Sequence, residues 1–256
     1  MKTFIDRCSL GPLGNGTQFR IVASSVYDPA QFAKLGTYGF IKDPAAFIVG
    51  AIPNEPGALE DLGYNMELLI LKATELEIGS CWLGGTFTKN RFAGQINLTS
   101  DQYIPAVTAL GYPADRKGWI DRVSRVYAGA DRRLPWDNLF FRDNMSEPLP
   151  EDQAGAYYEA LQLVRLAPSA SNKQPWRILQ AGERWHFYLK RTAQYPPPLF
   201  KNLLDLADLQ LVDIGIAMAH FYLGTEEAGL QGEWIADDPD LSSELEYIIS
   251  WKPKRK

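Results

Sequence analysis

The chain repeats itself, and the repeat constrains its architecture more than any single motif does. Asp61-Leu62-Gly63-Tyr64-Asn65-Met66 opens a run that continues through Leu71, Glu75 and Trp82. Asp213-Ile214-Gly215-Ile216-Ala217-Met218 opens another, through Leu223, Glu227 and Trp234. Asp, Gly, Met, Leu, Glu and Trp recur at the same spacing, as expected of two copies of one structural unit. Apolar residues fall at helical intervals in both, at Leu62, Met66, Leu69, Ile70 and Ala73, and at Ile214, Met218, Phe221 and Tyr222. Each run therefore predicts a long buried helix that passes into a short Gly-containing segment. Asp61 and Asp213 are placed to cap these helices or to sit in their first turns, where a carboxylate is favoured.

A second correspondence keeps the same order. Leu10-Gly11-Pro12-Leu13-Gly14-Asn15-Gly16-Thr17-Gln18-Phe19-Arg20-Ile21 matches Leu166-Ala167-Pro168-Ser169-Ala170-Ser171-Asn172-Lys173-Gln174-Pro175-Trp176-Arg177-Ile178. Leu, Pro and Gln align directly, and Phe-Arg-Ile meets Trp-Arg-Ile after a one-residue gap. The expected organisation is two related halves, residues 1–141 and 142–256, joined through the polar stretch from Arg142 to Gln153. Strands are expected over Gln18 to Ser24, Ala45 to Ile52 and Tyr103 to Gly111, then Arg177 to Gln180, Trp185 to Lys190 and Gly232 to Ala236. Ala154 to Arg165 has helical spacing, which makes Pro168 to Trp176 a loop between a helix and a strand. Helices covering mixed or antiparallel sheets give an α+β protein.

Composition narrows the function classes. With 46% hydrophobic and 22% charged residues the chain reads as a globular protein, and its net charge of −5 lacks the positive field of a general nucleic-acid binder. No uninterrupted apolar run is long enough to span a bilayer, and no signal peptide opens the chain, so neither a membrane nor export is expected and the location reads as cytoplasmic. Cys8 and Cys81 read as buried free thiols. His186 and His220 are the only histidines, and a structural role is expected for both in place of a metal site or a catalytic triad.

The loop from Pro168 to Trp176 offers hydroxyl, amide and aromatic groups on a Pro-stiffened backbone, without a strong acid or base. That inventory suits the orientation of a polar planar ligand, or equally a rigid turn whose side chains satisfy its own backbone. Gly84 and Gly85 permit close approach of a ligand to the backbone, or serve a helix C-cap and turn. Arg132 and Arg133 suit a phosphate dianion, or form a solvated pair.

Ala167-Pro168-Ser169-Ala170-Ser171-Asn172-Lys173-Gln174-Pro175-Trp176 resembles the Ala-Pro-Ser-x-x-Asn-x-Gln-Pro-Trp motif of the flavin-dependent nitroreductases. The resemblance extends to Ile78 to Phe87, to Leu110-Gly111-Tyr112-Pro113 and to Asp131-Arg132-Arg133-Leu134-Pro135. It implies a nitroreductase-like fold in which Pro168, Ser169, Ala170, Asn172 and Gln174 contact FMN, Leu83, Gly84 and Gly85 approach the flavin, and Arg132 and Arg133 meet its phosphate. Trp176 is expected in the core. The family's Arg-Arg-Ser-x-Arg opening has no counterpart before Leu10. The first half carries a degraded loop and the second the intact one, so one complete site between the halves is expected, in a monomer that imitates the family dimer.

The activity implied is transfer of reducing equivalents from NADH or NADPH through FMN to a nitroaromatic, quinone or similar small acceptor, with no protein nucleophile. A flavin-binding or structural protein without turnover, or a specialised flavin reaction such as reductive dehalogenation, is the alternative. Residues between Gln194 and Leu204 are expected to line the acceptor pocket, and the final basic run from Lys252 to Lys256 is a weaker phosphate candidate.

Overall fold

A computed structural model describes residues 1–26, 32, 35, 41–85, 87–112, 132–195, 206–240 and 244–254. Two sheets flank a pair of long helices. The first sheet is antiparallel throughout, with β1 (Gln18–Ala23), β2 (Ala46–Pro53), β3 (Gly79–Leu83), β4 (Gln102–Tyr103) and β5 (Val107–Gly111). Its order is β1-β2-β5-β3, and β4 pairs with β2. The second contains β6 (Phe140–Arg142), β7 (Asn144–Pro148), β8 (Trp176–Ala181), β9 (Arg184–Leu189), β10 (Gly232–Ile235) and β11 (Glu246–Pro253) in the order β10-β11-β9-β8-β6-β7. Its one parallel pairing joins β6 to β8. The helices are α1 (Lys2–Ile5), α2 (Ala58–Glu75), α3 (Lys89–Ala93), α4 (Tyr158–Leu166) and α5 (Leu209–Glu227).

The repeated runs are α2 and α5, and the two helices cross backbone to backbone. A Cβ on Gly63 would lie 2.1 Å from the carbonyl oxygen of Val212, and one on Gly215 would lie 1.9 Å from that of Glu60. The contact is reciprocal, because Glu60 and Val212 each stand three positions before the glycine of their own helix. Only glycine permits this approach, so the shared Gly of the repeat sets the crossing point. Around it, α5 is buried at every position from Val212 to Ala219. It is therefore apolar all round, as a helix enclosed on every side must be.

The second sheet packs on α4 and α5 through an aromatic cluster. Phe221 of α5 meets Phe187, Trp185, Trp234 and Trp251 with ring centroids 5.3 to 6.1 Å apart. Trp176, expected in the core, is fully buried there.

The α+β architecture agrees with expectation, and most strands fall where the sequence reading placed them. Four local differences have physical causes. The stretch from Tyr103 to Gly111 splits into β4 and β5, since Pro105 cannot donate to a ladder. The polar stretch from Arg142 to Gln153 is β7 and a 3₁₀ turn, and residue 142 ends β6 within the second sheet. The segment Gly79 to Leu83 is the strand β3, where glycines had suggested a turn. Cys81 lies exposed on it, correcting the expectation of a buried thiol, because β3 is an edge strand and Cys81 faces outward. Cys8 is buried, which pushes its thiol up to about 11.

Neither Asp61 nor Asp213 caps its helix. Gly57 and Asp208 occupy the N-cap positions, with Asp61 in the first turn of α2 and Asp213 beyond the first turn of α5. Both histidines bond to protein groups: His186 Nδ1 to Ser250 Oγ at 2.7 Å, and His220 Nε2 to Glu67 Oε1 at 3.0 Å. Among the described residues no helix is long and apolar enough to cross a membrane.

Candidate functional site

The Pro loop leaves the end of α4 and enters β8 through a backbone that few residues adopt. Ser171, Asn172 and Gln174 have φ of 49°, 52° and 48°, in the left-handed region that favours glycine. Such conformations persist when surrounding bonds hold them, and they concentrate at functional sites. The holding bonds are explicit here. Ser169 Oγ accepts from the Gln174 amide at 2.9 Å, and Asp213 Oδ1 accepts from the Ala170 amide at 2.8 Å.

Asn172 and Gln174 bind the arginine segment. Asn172 Nδ2 donates to the Arg132 carbonyl at 2.8 Å, and the Leu134 amide donates to Gln174 Oε1 at 2.8 Å. Arg165 Nε adds a bond to the Leu134 carbonyl at 3.1 Å. Arg133 reaches back, donating to the Leu166 carbonyl at 3.0 Å and to Asn172 Oδ1 at 3.5 Å. Two segments far apart in sequence thus form one rigid unit, with Gln174 buried at its centre and the Arg132 side chain exposed at its edge.

Leu83, Gly84 and Gly85 approach this unit by way of α5 and the residues just before it. A Cβ on Gly84 would lie 2.6 Å from Leu209 Cδ1, and one on Gly85 would lie 2.3 Å from Leu206 Cδ2. Leu209 begins α5, and farther along the same helix Asp213 holds Ala170. The first turns of α5 therefore stand between the double glycine and the Pro loop. Leu83 is buried, pairing with Val107. Leucine tips cover the glycines, and such flexible ends shift more readily than backbone does.

Three further residues belong to the site. Tyr195 donates to Ser171 Oγ at 3.3 Å, and the Lys173 ammonium lies 5.7 Å from the Tyr195 ring centroid, a cation–π contact. Arg177 donates to the Gln174 carbonyl at 3.0 Å, and burial lowers its guanidinium to about 10. Asp213 is 2% exposed and its Oδ2 has no hydrogen-bond partner among the described residues. Burial raises its carboxyl well above the usual range, opposed by the single Ala170 amide. Arg177 closes the motif itself and Asp213 opens the repeat, so both carried a sequence signal. Tyr195 falls in the stretch from Gln194 to Leu204 that was expected to line the acceptor pocket.

The donor set fits an anionic heterocyclic ligand: an exposed guanidinium at Arg132, cations at Arg133 and Lys173, and a buried carboxyl lacking a partner on one oxygen. Thr86, Pro113, Asp131, residues 196–204 of the expected acceptor loop, and Arg255 and Lys256 of the final basic run lie outside the described residues. Lys252 and Lys254 stand elsewhere, beside a cleft of about 900 Å³ lined also by Arg184 and His186.

Comparison with solved structures gives a crystal structure from Thermotoga maritima, described as a "putative nitroreductase", with 18% identity, 98% of this chain and 82% of that one covered, and a TM-score of 0.58. Half-length matches include a nitroreductase family protein of Clostridium novyi NT, with 22% identity, 46% of this chain and 75% of that one covered, and a TM-score of 0.35. A nitroreductase with bound FMN from Bacteroides fragilis matches at 17% identity over 46% of this chain and 78% of that one, with a TM-score of 0.35. No curated protein sequence matches. The model of the family described as "Putative TM nitroreductase" matches residues 15–225, a span that takes in the second Pro loop, the double glycine, the arginine segment, α2 and all but the last two residues of α5, and the chain belongs to that family.

Proposed function

We propose that the protein is an FMN-dependent oxidoreductase that takes reducing equivalents from NADH or NADPH and passes them to a nitroaromatic, quinone or similar small acceptor. The observation that carries this reading is the junction of the Pro loop with the arginine segment through Asn172 and Gln174, in a chain of the nitroreductase family. Arg132 and Arg133 would hold the FMN phosphate by charge-assisted bonds, and Pro168, Ser169, Ala170, Leu83, Gly84 and Gly85 would border the ring. Bound flavin supplies the redox chemistry, leaving the protein to bind, orient and exclude water. Asn172 and Gln174 act in this reading as struts that fix the arginine segment. The reciprocal crossing of α2 and α5 supports a single chain that imitates a dimer, and a monomeric mass in solution is expected.

A second reading, flavin binding without turnover, is favoured by Leu206 and Leu209 lying on Gly84 and Gly85. One experiment separates the two. Purified protein saturated with FMN is mixed anaerobically with NADPH, then with NADH. Bleaching of the flavin absorbance, reversed by a quinone, supports the oxidoreductase. Binding without bleaching supports the second reading, and absence of binding defeats both.

A further inference from the structure

The two repeated aspartates do different work. Asp61 grips the first loop with both oxygens: the Leu13 amide donates to Oδ1 at 2.8 Å, and the Asn15 amide and Nδ2 donate to Oδ2 at 2.8 and 3.1 Å. Asp213 grips the second loop with Oδ1 alone, and its buried Oδ2 is unpartnered among the described residues. The two loops also differ at one aligned place, Gly11 in the first and Ala167 in the second. A Cβ on Gly11 would stand 2.2 Å from both Cγ and Oδ1 of Asp61, so the closed grip requires glycine. The second half carries alanine at that place, and it is buried.

We propose that Asp213 is a positioning residue that works in its neutral form, with the proton on Oδ2, and that it holds the Pro168–Gln174 loop in its ligand-binding shape. A carboxylate buried with one amide is poorly satisfied. The loop relieves that charge by turning further amides inward, as the first loop does at Asp61, and so withdraws Ser171 and its neighbours from the ligand. Burial favours the neutral acid. The titratable groups acting here are Asp208, at the start of the same helix, and Tyr195, from the segment after β9. Asp208 disfavours a further negative charge, and a charge on Asp213 in turn raises the Tyr195 phenol. Arg191 is bound to Asp208 and Glu246, and Glu60 of α2 faces Asp208 and Glu246. One loop is thus clamped shut and the other poised.

The inference rests on the FMN reading for its ligand, and its test has two arms. The first is carboxyl-carbon NMR of protein labelled at aspartate, with Asp61→Asn and Asp213→Asn for assignment. Asp213 is expected to lose its proton at a higher pH than Asp61, and Ala167→Gly is expected to bring the two together. Titration of Asp213 at or below Asp61 overturns the proposal. The second arm is FMN affinity by fluorescence quenching between about pH 6 and about pH 9. Wild-type affinity is expected to fall about tenfold or more across that range, while Asp213→Asn, which keeps a neutral group of the same shape, varies by less than about twofold. Parallel profiles for the two proteins overturn the proposal. If the wild type binds no FMN at all, the functional reading fails and the NMR arm alone decides the state of Asp213.

Discussion

The carbonyl oxygen of Val212 lies 2.1 Å from the point where a Cβ on Gly63 would stand. Glu60 and Gly215 repeat the relation at 1.9 Å, so backbone, which cannot swing aside, fills both places. Gly63→Ala or Gly215→Ala must push the helices apart, and either is expected to cost about 3 kcal/mol or more in urea unfolding. Gly94→Ala is the control, because its nearest neighbour is 3.7 Å away and its backbone is right-handed helical. Equal midpoints for Gly63→Ala and Gly94→Ala would contradict the close crossing.

Glu60 gives folding stability a pH dependence. Burial first, then Asp61, Glu246 and Asp208, push its carboxyl from 4.5 up to about 7, against a bond from its own backbone amide. The folded state therefore favours the protonated form, so this contribution is complete below about pH 4.5 and is lost as pH rises through about 7. Wild-type stability should fall by roughly 2–3 kcal/mol more than that of Glu60→Gln between those limits. Asp213 contributes with the same sign in both proteins, so the difference isolates Glu60. Indistinguishable stability profiles would refute the assignment.

Glu67 of α2 ties β3 and α5 together at one buried point. Its Oε2 accepts from Trp82 Nε1 at 2.9 Å and its Oε1 meets His220 Nε2 at 3.0 Å. Glu67→Ala strips partners from an indole and an imidazole, at an expected cost of about 2–4 kcal/mol in chemical unfolding, with a shift in tryptophan emission. Glu67→Gln retains one acceptor and should lose less. An alanine variant as stable as the wild type would show that the network contributes nothing.

Gln174 ties down a segment that carries two trypsin sites, Arg132 and Arg133. Its Oε1 accepts from the Leu134 amide, next to Arg132 and Arg133. Gln174→Leu leaves that amide unsatisfied and frees the segment, with an expected loss of about 1–3 kcal/mol and faster trypsin cleavage after Arg132 and Arg133. FMN affinity should fall with it. An unaltered cleavage rate would mean that other bonds suffice.

Much of the fold was legible because it rests on short-range pattern. The helical spacing of Leu62 to Ala73 and of Ile214 to Tyr222 reports burial directly, and the short apolar runs of β2 and β9 report buried strands. Less legible were the edge strand β3, whose glycines also suit a turn, and β6 and β7, whose residues read as a polar linker. Those strands exist because a neighbour supplies the pairing, as β8 does for β6 in parallel.

At the site, the resemblance to the nitroreductase motifs selected the Pro loop, the double glycine and the arginine pair, since residue type left a ligand role and a structural one equally open. Sequence alone established the two-copy helix pattern, because repetition and periodicity are properties of the chain itself. Only the tertiary structure decided what those groups touch. It turned Asn172 and Gln174 toward the Arg132–Leu134 backbone, set Leu206 and Leu209 on the glycines, and gave Asp61 three donors but Asp213 one. A polar side chain is read from the sequence only as a capacity for hydrogen bonds. Which capacity is used depends on distances that folding sets, and at Asp213 those distances leave Oδ2 without a partner among the described residues.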